Sequence, residues 1–143
     1  MPESVGPVII EEVTKMSSHP GVLRCALAIA AADPVGALRI LESGLQVARA
    51  QGDSKAVLTL AKHAGTISLG MRQIDQALAY FWEARSCSDD GSVRMAIGLA
   101  YEELGDIQAA KDEYADCLRF AESCGDSGAV EMAAAALARL RPA

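Results

Sequence analysis

Any chemistry in this chain of 143 residues has to come from two histidines, four cysteines and a few adjacent carboxylates. His19 and His63 fall in different expected helices, and neither has a carboxylate or thiol at metal-ligand spacing. His63 therefore reads as a hydrogen-bonded or solvent-facing side chain rather than a base or ligand. Cys25, Cys87, Cys117 and Cys124 form no Cys-x-x-Cys pair and lie in or at the ends of helical segments, which suits reduced thiols of a cytoplasmic protein. Cys117 fits a compact buried group, whereas Cys124, beside Gly125, is expected to be exposed with no cationic cluster to activate it. The neighbours Glu102 and Glu103, and Asp112 and Glu113, belong to solvated helix faces with nothing apolar around them to raise a carboxyl pKa. Gly98, Gly105 and Gly125 are dispersed over helices and turns, without a preceding strand or a following lysine, so no phosphate loop is formed. The residues thus offer no catalytic centre, no metal site and no cofactor site.

The elements that carry these side chains are helical. Alanine is abundant and aromatics make up 4% of residues, a composition for helices packed closely on helices. The formal net charge is -6, the sequence pI is about 4.8 and the basic residues are scattered singly. Nucleic acid and anionic membrane surfaces are therefore excluded as expected partners. The N-terminal stretch is interrupted by Glu11 and Glu12 before a signal core can form, and no membrane span is expected.

The organising stretch is Ser92 to Ala121, where two patterns of helical period flank Gly105-Asp106. Ile97, Gly98 and Tyr101 recur on the first; Ile107, Ala110, Tyr114 and Cys117 recur on the second. The glycine admits the partner helix, and Ala110 is its small counterpart. Residues 53–87 repeat the pattern through Leu58, Ala61, Gly65 and Ser68, then Ile74, Ala77, Phe81 and Ala84. Gly65, Ile74, Ala77 and Phe81 match Gly98, Ile107, Ala110 and Tyr114, each pair 33 residues apart.

This arrangement resembles the tetratricopeptide repeat family. The resemblance implies an all-α fold, a short right-handed α-solenoid of about three helical hairpins with an N-terminal helix and a C-terminal capping helix. The expected boundaries are 7–17 for the N-terminal helix, 18–50, 53–87 and 90–124 for the repeats, and 126–141 for the cap, all in a single domain. In the first repeat, Cys25 and Ala28 stand where the family favours a small residue and an aromatic, and Ala37, Leu38, Leu41 and Leu45 form the second stripe. GDSKAV at Gly52–Val57 recurs as GDSGAV at Gly125–Val130, 73 residues on, which marks residues after Val130 as the start of an incomplete repeat. Arg72 replaces the family's turn glycine, with Gly70 two residues earlier, so an irregular turn is expected there.

By that resemblance the first helices of successive repeats line a concave groove. It would be offered Thr59, Lys62, His63, Thr66 and Leu69 by the second repeat, and Ser92, Met95, Ala96, Leu99 and Glu102 by the third. The first repeat would add Val22, Leu23, Ala26 and Ile29, and the cap Met132, Ala135 and Arg139. The lysine, asparagine and arginine clamp by which some relatives hold chaperone C-termini is absent: the matching positions are Val22, Ala26, His63, Ser92 and Ala96. The expected function is a protein–protein interaction module or adaptor, not an enzyme, taking a peptide or helix of a partner in an apolar groove. The alternative is a structural homo-oligomer assembling through the groove or the terminal helices. Trp82, one step from Phe81, is expected to be partly buried against the neighbouring hairpin.

Overall fold

The computed structural model describes residues 19–88 and 90–142, and the expected helix 7–17 lies outside them. The described residues form seven α-helices and no strand: α1 (His19–Ile29), α2 (Pro34–Gln51), α3 (Ser54–Gly70), α4 (Ile74–Cys87), α5 (Gly91–Leu104), α6 (Ile107–Cys124) and α7 (Ser127–Arg139). The chain divides between Cys87 and Ser88 into two compact units. In the first, α1 packs on α2, α2 on α3 and α3 on α4, with a lighter contact of α1 on α3; in the second, α5 packs on α6 and α6 on α7.

Aspartates set where most of these helices begin. Asp33, Asp53, Asp90, Asp106 and Asp126 each accept a hydrogen bond from a backbone N–H in the first turn of the helix that follows. Such a cap satisfies a donor that the helix itself leaves orphaned, a contribution of about 1 kcal/mol each. Three helices end on a glycine in the left-handed region, Gly52, Gly105 and Gly125. The glycine N–H bonds the carbonyl three residues back, and the next N–H bonds the carbonyl five residues back. This pairing is a Schellman turn, and the aspartate directly after each glycine then caps the next helix.

Arg72 makes the same turn as these glycines. Its φ is 65°, its N–H bonds Leu69 C=O at 3.0 Å, and Gln73 N–H bonds Ser68 C=O at 2.9 Å. The turn expected to be irregular is therefore regular, at the cost of a side chain in a conformation disfavoured by about 1–2 kcal/mol. Gln73 occupies the place held elsewhere by a capping aspartate. The double variant Arg72→Gly, Gln73→Asp, which recreates the Gly-Asp of the other three turns, is expected to raise stability by about 1–2 kcal/mol in urea denaturation. An unchanged or lower midpoint would show that Arg72 gives the fold more through its side chain than it loses in its backbone.

In two hairpins the helical glycine expected to admit the partner helix does so, but what it meets is an aromatic ring rather than the small residue expected as its counterpart. A Cβ on Gly65 would lie 2.5 Å from the Phe81 ring, and one on Gly98 would lie 2.4 Å from the Tyr114 ring. Both rings are fully buried, and Ala77, Ala84, Ile97, Ala110 and Cys117 are buried beside them. Leu58, Ile74 and Tyr101 are only half-buried. Ile107 is 40% exposed, so this first-turn residue does not belong to the interior stripe.

The first hairpin reverses the pairing. Gly44 of α2 makes the space, and a Cβ there would meet Val22 of α1 at 2.7 Å. The echo of 73 residues extends through α2 and α6: Ala37, Leu41, Gly44 and Ala48 are buried, as are Ala110, Tyr114, Cys117 and Ala121. It fails in α1, where Val22 and Ala26 are buried while Cys25 is half-buried and Ala28 exposed. The register expected for this helix is corrected accordingly. The physical reason lies in the turn: Ala32 stands 73 residues before Gly105, does not take a positive φ, and α1 ends at Ile29 with Asp33 N–H bonding Ile29 C=O. An early stop without the left-handed residue changes which positions of α1 face its own partner helix, so the buried side chains are Val22 and Ala26 rather than Cys25.

Candidate partner-binding groove

Val22 and Ala26, expected to face a groove, are core residues at 4% and 0% exposure. The five candidates on α3 all lie in the first unit. Thr59, Lys62, His63 and Leu69 are half-buried and Thr66 is exposed. His63 Nδ1 lies 2.9 Å from the Thr59 carbonyl, an acceptor only, which assigns the ring proton to Nδ1. Thr66 Oγ1 donates to the Lys62 carbonyl at 3.0 Å. Two polar side chains are thus turned back on their own helix. Among the described residues no three His, Cys, Asp or Glu side chains are placed to hold a metal ion.

In the second unit a groove of about 670 Å³ runs between α5, the last turns of α6 and the start of α7. Met95, Ala96 and Leu99 form one wall, Ala129 and Met132 the other, and Phe120, Ala121 and Cys124 contribute from α6. Helical spacing on α5 places Ser92, Met95, Ala96 and Leu99 on one face. Capping at Asp126 fixes where α7 starts, and so brings Met132 to the same concavity. Leu99 is 40% exposed and Met132 61%, two large apolar side chains open to solvent in one concavity. Met95, Leu99 and Met132 stand at positions expected to face a groove, whereas Phe120 and Cys124 come from the second helix of a hairpin, from which no groove residue is expected. A signal for Phe120 was present, since it stands one step off the buried stripe of Tyr114, Cys117 and Ala121.

Glu102 does not line this groove. Its Oε1 accepts from the Tyr114 hydroxyl at 2.8 Å, and its Oε2 is paired with Arg139. Arg139 first, and the Tyr114 hydroxyl with it, hold the Glu102 carboxyl below its ordinary range. The triad joins α5, α6 and α7 at the side chains, over a cluster of Ala110, Tyr114 and Ala136. The first unit carries a comparable network: Arg49 bonds Glu83 through Nε at 2.6 Å and Nη2 at 2.8 Å, and Glu42 at 3.0 Å, while Tyr80 donates to Glu42 at 2.7 Å.

Burial, and then the hydrogen bond to a carboxylate, pushes both Tyr80 and Tyr114 up to about 12. A raised pKa means that the folded chain holds these protons more tightly than the unfolded one. Their contribution is fully present below the ordinary tyrosine value of about 10 and is lost as pH rises towards 12. Stability is therefore expected to fall between about pH 10 and pH 12, and the double variant Tyr80→Phe, Tyr114→Phe to flatten that fall. Urea midpoints measured across this range check it, and an equal slope in the variant would contradict it.

The thiols follow their surroundings. Cys117 is fully buried, its Sγ donates to Gly91 C=O at 3.5 Å, and burial raises its pKa, which leaves it a packing group. Cys124 is exposed at the rim of the groove. Trp82 is 40% exposed, and so partly covered, with the Arg85 guanidinium 5.2 Å from its ring centroid. Among the described residues no helix is long and apolar enough to cross a membrane. No protein-family model, no curated protein and no solved structure matches the chain.

Proposed function

We propose that this chain is a protein–protein interaction module that takes an apolar segment of a partner protein into the groove of α5, α6 and α7. The observation that carries this reading is the convergence of Met95, Leu99, Met132 and Phe120 on one concavity, with Leu99 and Met132 exposed there. Apolar anchors in a depression are what a helix or strand of a partner needs for stable seating. We further propose that the hairpins are tetratricopeptide-like units of a short α-solenoid. The pairing of Gly65 with Phe81 and Gly98 with Tyr114, repeated at 33 residues, supports that arrangement. Binding, not catalysis, is the work proposed for it.

The test is capture from a native lysate by wild type and by the variant Leu99→Gln, Met132→Gln, with identification by mass spectrometry. A protein retained by wild type and lost with the variant supports the reading. Equal retention by both would direct attention away from the groove. Light scattering across concentration separates the alternative, because a homo-oligomer would rise above the mass of one chain in the absence of any partner.

A further inference from the structure

The net charge of the chain is not spread evenly. Residues 88–143 hold 11 acidic and 5 basic side chains, a net of -6, whereas residues 1–87 hold 8 of each and are neutral. The whole excess therefore belongs to the unit that contains the groove. Asp90 and Asp126 are among the groove-lining residues, and none of those residues is Lys, Arg or His. Glu103 follows Leu99 by one turn and Glu131 directly precedes Met132, both exposed. Of the cations in this unit, Arg139 is paired with Glu102, Arg119 with Asp116, and Arg94 lies 5.3 Å from the Phe120 ring centroid.

Resting on the binding reading above, we infer that the occupant of the groove is a cationic amphipathic segment of another protein, apolar on one face and rich in Lys or Arg on the other. An apolar floor inside a negative unit favours such a ligand over a neutral or acidic one, both in the approach and in the complex. Charge also decides against occupants from this chain. Its own N-terminal stretch has Val8, Ile9, Ile10 and Val13, but residues 1–18 carry three glutamates against one lysine. A second copy would bring either the same -6 unit or a unit with no net charge to the interface, and neither supplies the excess of cations that an acidic groove favours. Nucleic acid and anionic lipid are repelled by the same sign.

The experiment uses the full chain and three fluorescein-labelled peptides. The first has Leu and Ala on one helical face and Lys on the other, over about five turns; the second carries Glu in place of Lys; the third is residues 1–18. The Lys peptide is expected to bind at least about tenfold tighter than the Glu peptide in about 50 mM salt, with the gap closing in about 500 mM salt. Asp90→Asn with Asp126→Asn removes charge while keeping residues that cap helices equally well. This variant should keep its melting temperature and lose about three- to tenfold in affinity for the Lys peptide. Equal affinity for the Lys and Glu peptides, with both lost in Leu99→Gln, Met132→Gln, would overturn the charge inference and leave the groove reading intact. Tighter binding of the 1–18 peptide would overturn it in favour of self-occupancy. Lys-peptide binding that persists unchanged in Leu99→Gln, Met132→Gln would be adhesion to an acidic surface, and failure of all three peptides would count against both readings.

Discussion

Gly98→Ala is expected to destabilise the second unit by about 1–3 kcal/mol, although alanine is the better helix former by about 1 kcal/mol. The added Cβ would sit 2.4 Å from Tyr114 Cε1 and 2.7 Å from Cδ1. The ring has little freedom to yield, being fully buried and held through its hydroxyl to Glu102 at 2.8 Å. Relief must come from separating α5 and α6 or from breaking that hydrogen bond, and either loses packing. Gly98→Leu should be worse still. The contrast is Gly70, a helical glycine in the first unit whose added Cβ would meet nothing within 4 Å. Gly70→Ala should be neutral or stabilising by up to about 1 kcal/mol. Urea denaturation followed by circular dichroism checks both, and a stabilised Gly98→Ala would mean that helix propensity, not close approach, governs the site.

These two glycines also show how much of the fold is legible in the chain. The 33-residue recurrence of Gly65, Ala77 and Phe81 as Gly98, Ala110 and Tyr114 announces that two hairpins are built alike, but not which residues touch: the space above Gly98 is taken by the Tyr114 ring, where spacing suggests Ala110. Gly-Asp pairs announce turns, since a left-handed residue ends one helix and a carboxylate starts the next. Arg72-Gln73 shows the limit: the same backbone is formed by residues that do not advertise it, held by what flanks them. The register of α1 was hidden for the converse reason, since Ala32 lacks the freedom of Gly105 and the helix stops early.

The groove was legible in part. Leu99 and Met95 stand one step off a recognised stripe, so helical geometry alone leaves Leu99 exposed and Met95 half-buried at the edge of the core. Phe120 and Cys124 join them only because α6 ends beside α7, which no local pattern states. Glu102 shows the opposite error: a polar residue on the expected face turns out to be held by Tyr114 and Arg139. A long side chain goes to its hydrogen-bond partners, and spacing cannot say who those are.

Leu99→Gln with Met132→Gln is expected to leave the fold nearly intact and to weaken partner binding by more than tenfold, about 1.4 kcal/mol or more. Both residues are substantially exposed in the free chain, at 40% and 61%, so each loses little on becoming polar. Gln is close to them in length and favours helix, which holds the cost to stability within about 0.5 kcal/mol. In a complex the same positions would be buried, and an amide facing an apolar anchor without a hydrogen-bond partner is costly. The neutral amide also avoids adding charge that a cationic ligand would welcome. Loss of melting cooperativity in the variant would place these side chains in the core.

The most direct test uses methionine methyl resonances, because the described residues place Met95 and Met132 in the groove and Met71 at the end of α3 in the other unit. With methyl-labelled protein and the Lys amphipathic peptide, or a partner captured from lysate, the account predicts that Met95 and Met132 shift or broaden together while Met71 holds its position. A saturable complex in which Met95 and Met132 stay unmoved, whether or not Met71 responds, would contradict the assignment of binding to this groove.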